Sequence, residues 1–168
     1  QENGLLKGFQ LWVNLPASDK MTAPSYQEFT PSEMALEDTN DDCRIRVISG
    51  KTNKGTLGPV INNYVNPTYL DVELNAKHEF FQDTNEEHNA FVYVIEGDIQ
   101  IGDKQLSVNT LAILSRAEQL AVKAVNNSRF LFIAARPLNE PVARSGPFVM
   151  NTHEQLVQAY SDFRSNNF

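Results

Sequence analysis

The chain has 168 residues, 41% of them apolar, with one cysteine and 21 acidic against 14 basic side chains, for a formal net charge of -7. That length supports one domain, with or without an arm, and needs no covalent staples. The lone Cys43 excludes an internal disulfide framework and suits a reducing compartment, the cytoplasm or a eukaryotic nucleus. Scattered Lys and Arg give no positive field, which argues against direct nucleic-acid binding, and neither an apolar run of ~20 residues nor a leader pattern argues for a membrane.

The first predicted element lies in "KGFQLWVNLP", residues 7–16. Phe9, Leu11, Val13 and Leu15 alternate with Gln10, Trp12 and Asn14, the period of a half-buried strand. A loop-rich stretch follows, "ASDKMTAPSYQEFTPSEMALEDTNDD", which reads as an arm with little regular structure. From Arg44 the texture changes: "RIRVIS" is a strand, "GKTNKGTLGP" a glycine-rich turn region, and "TYLDVELN" alternates Leu70, Val72 and Leu74 against Asp71 and Glu73. "NAFVYVIEGDIQIGDKQL" predicts two strands around Glu96-Gly97-Asp98 and a further turn at Gly102-Asp103. "LAILS", "LAVKAVNN" and "RFLFIAARPL" complete the strands, with Asn126-Asn127-Ser128 as the expected hairpin turn between the last two. The period then switches. Leu156, Tyr160 and Phe163 fall at i, i+4 and i+7, and either Asn151 with Glu154 or Thr152 with Gln155 forms a capping box, so the spacing predicts a closing helix over 153–164. The expected fold is all-β with a C-terminal helix, an antiparallel sandwich or barrel. Its expected divisions are an N-terminal strand and crossing arm (1–43), a barrel (44–150) and a helix (151–168).

Several partial motifs fail on chemistry. "GKT" at residues 50–52 resembles the end of a phosphate loop, but Ile45 stands where the motif's first glycine belongs. Asp38, Asn40 and Asp42 match the start of a calcium loop; Cys43 then replaces its glycine and Ser49 its closing glutamate. A metal site in a small barrel needs three or four N/O ligands converging inward. His78, His88 and His153 include no His-x-His pair, and the strand after His88 offers Phe91, Val92, Tyr93, Val94 and Ile95 before Glu96 at the turn. No metal, catalytic or cofactor-binding residue is therefore assigned. Cys43 follows two acidic positions, whose charge raises a thiol pKa and blunts reactivity.

"GFQLWVNLP" with "DKM" behind it, and "EPVARSGPFVMNTHEQLVQAYSDF" near the far end, closely resemble the pirin family. The resemblance covers essentially the whole chain but only the second part of a pirin. It implies a bicupin: two cupin-type, jelly-roll-like barrels, with iron held in the first by three histidines and one glutamate. Those ligands precede the segment matching "GFQLWVNLP", so none is carried onto a residue here, and the second barrel is a degenerate cupin without metal. On this reading the opening strand and arm belong to a neighbouring first barrel.

Three functional expectations follow. The first is a non-catalytic C-terminal cupin module supporting the iron-binding barrel and meeting protein partners, as in pirins that act as transcriptional co-regulators. The second is part of an iron-dependent flavonol (quercetin) dioxygenase whose metal site lies outside this chain. The third is a free-standing barrel with a cavity lined by Phe80, Phe81, Phe91 and Tyr93, although that pattern more often marks core packing. The exposed opening strand also predicts association, with the missing half or with a second copy through the arm at residues 4–29.

Overall fold

A computed structural model of the chain describes residues 4, 8–39 and 42–167. Among these residues a short 3-10 helix (Ala17–Asp19), twelve strands and one α-helix are formed: β1 (Ala35–Thr39), β2 (Cys43–Ser49), β3 (Thr68–Leu74), β4 (Glu79–Asp83), β5 (Asn89–Glu96), β6 (Asp98–Ile101), β7 (Lys104–Ser107), β8 (Leu111–Ile113), β9 (Gln119–Ala124), β10 (Ser128–Ala135), β11 (Ala143–Ser145), β12 (Phe148–Met150) and α1 (His153–Arg164). They fall into two compact units, residues 24–137 and residues 1–23 with 138–168.

The larger unit is a jelly-roll barrel of two facing sheets, ordered β1-β2-β3-β10-β5-β8 and β4-β9-β6-β7, with every ladder antiparallel. Alternation does the sorting. β9 buries Leu120, Val122 and Ala124 while Gln119, Ala121 and Lys123 face out, and β4 buries Phe80 and Gln82. The core joins Val47, Leu70, Val72, Val92, Val94, Phe130 and Phe132 from one sheet to Phe80, Ile99, Leu120 and Val122 from the other. Phe80 and Phe130 meet edge to face across the sheets at 5.7 Å, the favoured aromatic geometry. β10 is buried on both faces. Phe130, Phe132 and Ala134 enter the main core, and Leu131 and Ile133 pack with Ile95, Tyr69, Phe91 and Tyr93 on the opposite face.

That opposite face also carries a charge cluster. The Asp71 side chain, 9% exposed, accepts from Arg129 Nε at 2.9 Å and Nη2 at 2.6 Å, and from Arg46 Nη1 at 3.3 Å. These bonds favour the charged guanidinium and push the Arg129 pKa further up.

The two strands expected around Glu96-Gly97-Asp98 are present, but there and at the expected Asn126-Asn127-Ser128 hairpin the chain crosses between sheets. β5 and β6 flank Glu96-Gly97-Asp98 but lie in different sheets, and so do β9 and β10 around Asn126-Asn127-Ser128. The two crossings lock against each other: Asp98 N–H donates to Asn126 Oδ1 (2.8 Å), Val125 N–H to Asp98 O (2.9 Å) and Ser128 Oγ to Asp98 O (2.9 Å). Gly97 sits there at φ +70°, where an added Cβ would lie 2.3 Å from Asn127 O. The turn at Gly102-Asp103 does close a hairpin, β6 with β7.

Sequence alternation also missed elements. β1 lies within the stretch expected to be irregular; it pairs with β2 from Ala35↔Val47 to Thr39↔Cys43. The strand expected over Phe9–Leu15, which the resemblance gives to the sheet of a neighbouring barrel, joins no sheet among the described residues. Phe9, Leu11, Trp12 and Val13 are exposed instead.

In the smaller unit β11 and β12 form a hairpin closed by Gly146-Pro147, and α1 begins at the Thr152–Gln155 capping box. Leu156 and Ala159 are its buried residues, and Phe148 packs edge to face on Tyr160 (4.9 Å) and Phe163 (5.8 Å). Glu140 ties both chain ends together, accepting from Ala17 N–H at 2.8 Å and Asn151 Nδ2 at 3.0 Å. No helix among the described residues is long and apolar enough to cross a membrane.

Candidate functional site

A barrel of this kind offers two places for chemistry, its interior and its mouth. The interior is filled: the inward positions of β5, β6, β9 and β10 are Val92, Val94, Ile99, Leu120, Val122, Phe130 and Phe132. Gln82 is buried among them, with Nε2 donating to Lys51 O (3.3 Å) and Asp83 O (3.0 Å). An amide so engaged, walled by hydrocarbon, does not make a coordination sphere.

The three histidines are kept apart. His78, in the loop before β4, places Nε2 3.2 Å from Asp42 Oδ1 at the surface. His88 lines a cavity at the barrel mouth, where burial and the nearby Arg136 charge lower its pKa below the usual 6.5, against the smaller pull of Glu87. His153 is exposed in the first turn of α1, and Glu96 is exposed at the end of β5. No group of three or more His, Cys, Asp or Glu side chains converges among the described residues. Of the three acidic-loop residues, Asp38 pairs with Arg44 (2.9 Å), Asp42 faces His78, and Asn40 lies outside the described residues.

Cys43 opens β2 with 9% exposure. Burial, more than charge, pushes its thiol up to about 11; Glu37, Asp38 and Asp42 add to the rise and Lys54 opposes it. The direction agrees with the sequence expectation, but the larger cause was invisible there, because only the β1–β2 pairing shows that Cys43 faces the core. The four aromatic candidates for a cavity lining also separate. Phe80 is core, Phe91 and Tyr93 belong to the outer cluster, and Phe81 is 48% exposed.

In the smaller unit a groove of about 460 Å³ is lined by Trp12, Val13, Leu15, Val142, Pro147 and Val149. Lys20 lies at its edge, held by Asn14 Oδ1 (2.6 Å) and Leu15 O (3.1 Å). Leaving water lowers its ammonium pKa, with Glu140 pulling the other way.

Residues 69–168, from β3 to the end of the chain, match the Pirin C-terminal cupin domain. The chain belongs to the pirin family. It is 40% identical to a pirin-like protein of Caulobacter vibrioides, over all of this chain and 61% of that protein. It is also 40% identical to mouse Pirin, over 94% of this chain and 56% of the relative. The fold superposes on the crystal structure of a quercetin 2,3-dioxygenase from Acinetobacter baumannii with a TM-score of 0.87 at 31% identity, covering 94% of this chain and 55% of the other. The cupin fold expected from the resemblance is thus present in this pirin-type chain, which spans little more than half the length of these relatives.

Proposed function

We infer that this chain acts as the non-catalytic C-terminal cupin of a two-barrel pirin-like protein, which supports an iron-binding first barrel and offers a surface to protein partners. The observation that carries this reading is the filled interior: where a metal cupin needs converging nitrogen and oxygen donors, this barrel packs Val92, Val94, Leu120, Val122 and Phe132. The smaller unit supplies the supporting surface. Phe9, Leu11, Trp12 and Val13 are exposed together, and the groove beside them is mostly apolar, which suits burial against another barrel. A net charge of -7 favours protein partners over nucleic acid.

The test is elemental and enzymatic. Purified chain reloaded with iron(II) under anaerobic conditions and then desalted is expected to retain far less than one iron per chain. In air it is expected to leave quercetin absorbance unchanged. One tightly held iron per chain, or flavonol loss proportional to chain concentration, overturns the reading. The A. baumannii structure favours a second statement about the parent: its complete form is a flavonol dioxygenase whose metal chemistry lies outside this chain. Iron in the first barrel would then hold the deprotonated flavonol for reaction with oxygen.

A further inference from the structure

We propose that the mouth of this metal-free barrel is a binding site for a small organic monocarboxylate with a compact apolar body. The site is independent of the supporting role inferred above. β4 ends there at Asp83, β5 begins at Asn89, β6 ends at Ile101, β8 ends at Ile113 and β9 begins at Gln119. Between these ends lies a cavity of about 260 Å³. Ala90, Ile101, Leu114 and Leu120 form its apolar side, and Arg116 and His88 stand among its polar lining.

Thr84, Gln119 and Asn85 at the rim are already engaged. Thr84 Oγ1 donates to Ala117 O, and Gln119 Nε2 donates to Asp83 Oδ1 at 2.9 Å, so both stitch the β4–β9 wall together. Asn85 Oδ1 accepts from Glu87 N–H at 2.8 Å. Arg116 has no carboxylate partner among the described residues, and its planar fork is the group that grips a carboxylate through two parallel bonds. His88, held neutral by burial and Arg136, contributes one N–H rather than a second full charge. Arg136 adds positive field while its own Nη2 is bound to Tyr64 O. Arg116 is thus the one full positive charge among the residues that line the opening.

The chemical class follows from these counts. A single unpartnered guanidinium matches a monoanion better than a phosphate dianion. The apolar side rewards a hydrocarbon body, and a cavity of this size, just under the span usual for drug-sized ligands, fits one ring or a short chain.

The test uses the full chain, labelled with nitrogen-15 and titrated with benzoate, with benzamide as the neutral isostere and inorganic phosphate as the anion without a body. Benzoate is expected to give saturable amide shifts at Ala90, Leu114 and Leu120. Arg116→Gln is expected to weaken it at least about tenfold, the scale of losing a charge-assisted contact. Arg116 is exposed, so the variant should unfold at the wild-type temperature, which separates lost binding from lost fold. Unsaturable benzoate shifts, undiminished affinity in Arg116→Gln, or benzamide or phosphate binding as well as benzoate would each overturn the proposal.

Discussion

Replacing Asp71 by alanine removes the acceptor that two arginines share on the outer face of the barrel. The carboxylate is 9% exposed, whereas the Arg129 and Arg46 side chains are 34% and 37% exposed. Two of its bonds, at 2.9 and 2.6 Å, come from Arg129 in a forked arrangement, while the third, from Arg46, is long at 3.3 Å. Breaking a fully buried pair costs about 3–5 kcal/mol. Here the arginines regain water once released, so Asp71→Ala is expected to cost about 2–3 kcal/mol. Arg46→Ala, which loses one weak and half-exposed contact, is expected to cost under about 1 kcal/mol. Urea unfolding of wild type, Asp71→Ala, Arg129→Ala and the double variant gives the coupling directly, expected near 1.5–2 kcal/mol. A coupling below about 0.5 kcal/mol would refute the reasoning, because the pair would then behave like any screened surface contact.

Phe130→Ala empties the centre of the core and removes the edge contact to Phe80, so a loss of about 3–5 kcal/mol in urea unfolding is expected. Gly97→Ala forces a side chain into a left-handed position and against Asn127 O; thermal unfolding should start several degrees lower, or soluble protein should be lost. Cys43, with its thiol raised from 9.0 to about 11, is expected to resist a disulfide reagent at pH 8 until urea exposes it. Because the folded thiol holds its proton more tightly than the unfolded one, its stabilisation is complete below about pH 9 and is lost as pH rises towards 11, a loss that a Cys43→Ala variant should not show. Light scattering after size exclusion should find the isolated chain as a dimer or larger, and Leu11→Ser with Val13→Ser should shift it towards monomer; a monomeric wild type would remove the case for an association face.

The sequence made the barrel legible wherever one face of a strand meets the core and the other meets water. β9 and the hairpin of β6 with β7 were read correctly for that reason, and α1 because its cap and period are both local. β1 was missed because "ALEDT" alternates weakly; its half-buried pattern comes from pairing with β2, a contact that local propensity does not encode. Residues 9–15 mark the opposite limit. Their alternation is strong, yet alternation says only that a strand is possible, and the partner that would complete it is not among the described residues. The two crossings at Gly97 and Asn127 show the same limit. Turn chemistry marks where the chain reverses, but a reversal within one sheet and a passage between two sheets use the same residues, and only the packing of one turn on the other separates them.

The site divides along the same line. A metal demands side chains of a particular kind at inward positions, and in β5 neither alternating set, Phe91, Tyr93 and Ile95 or Val92 and Val94, supplies one, so that strand was legible without knowing which face turns inward. An anion-binding mouth demands nothing so regular. Arg116 and His88 sit on separate connections, neither in a strand, and each reads in sequence as an ordinary surface residue. What brings them together is that the ends of five strands surround one cavity. Filling the interior with hydrocarbon removes the chemistry of a metal cupin but leaves those strand ends in place, so the opening keeps its shape and its loops remain free to carry charge. An apolar interior therefore does not imply loss of the mouth. In such a fold a barrel with an apolar interior keeps a mouth whose loops can present cations to small anions.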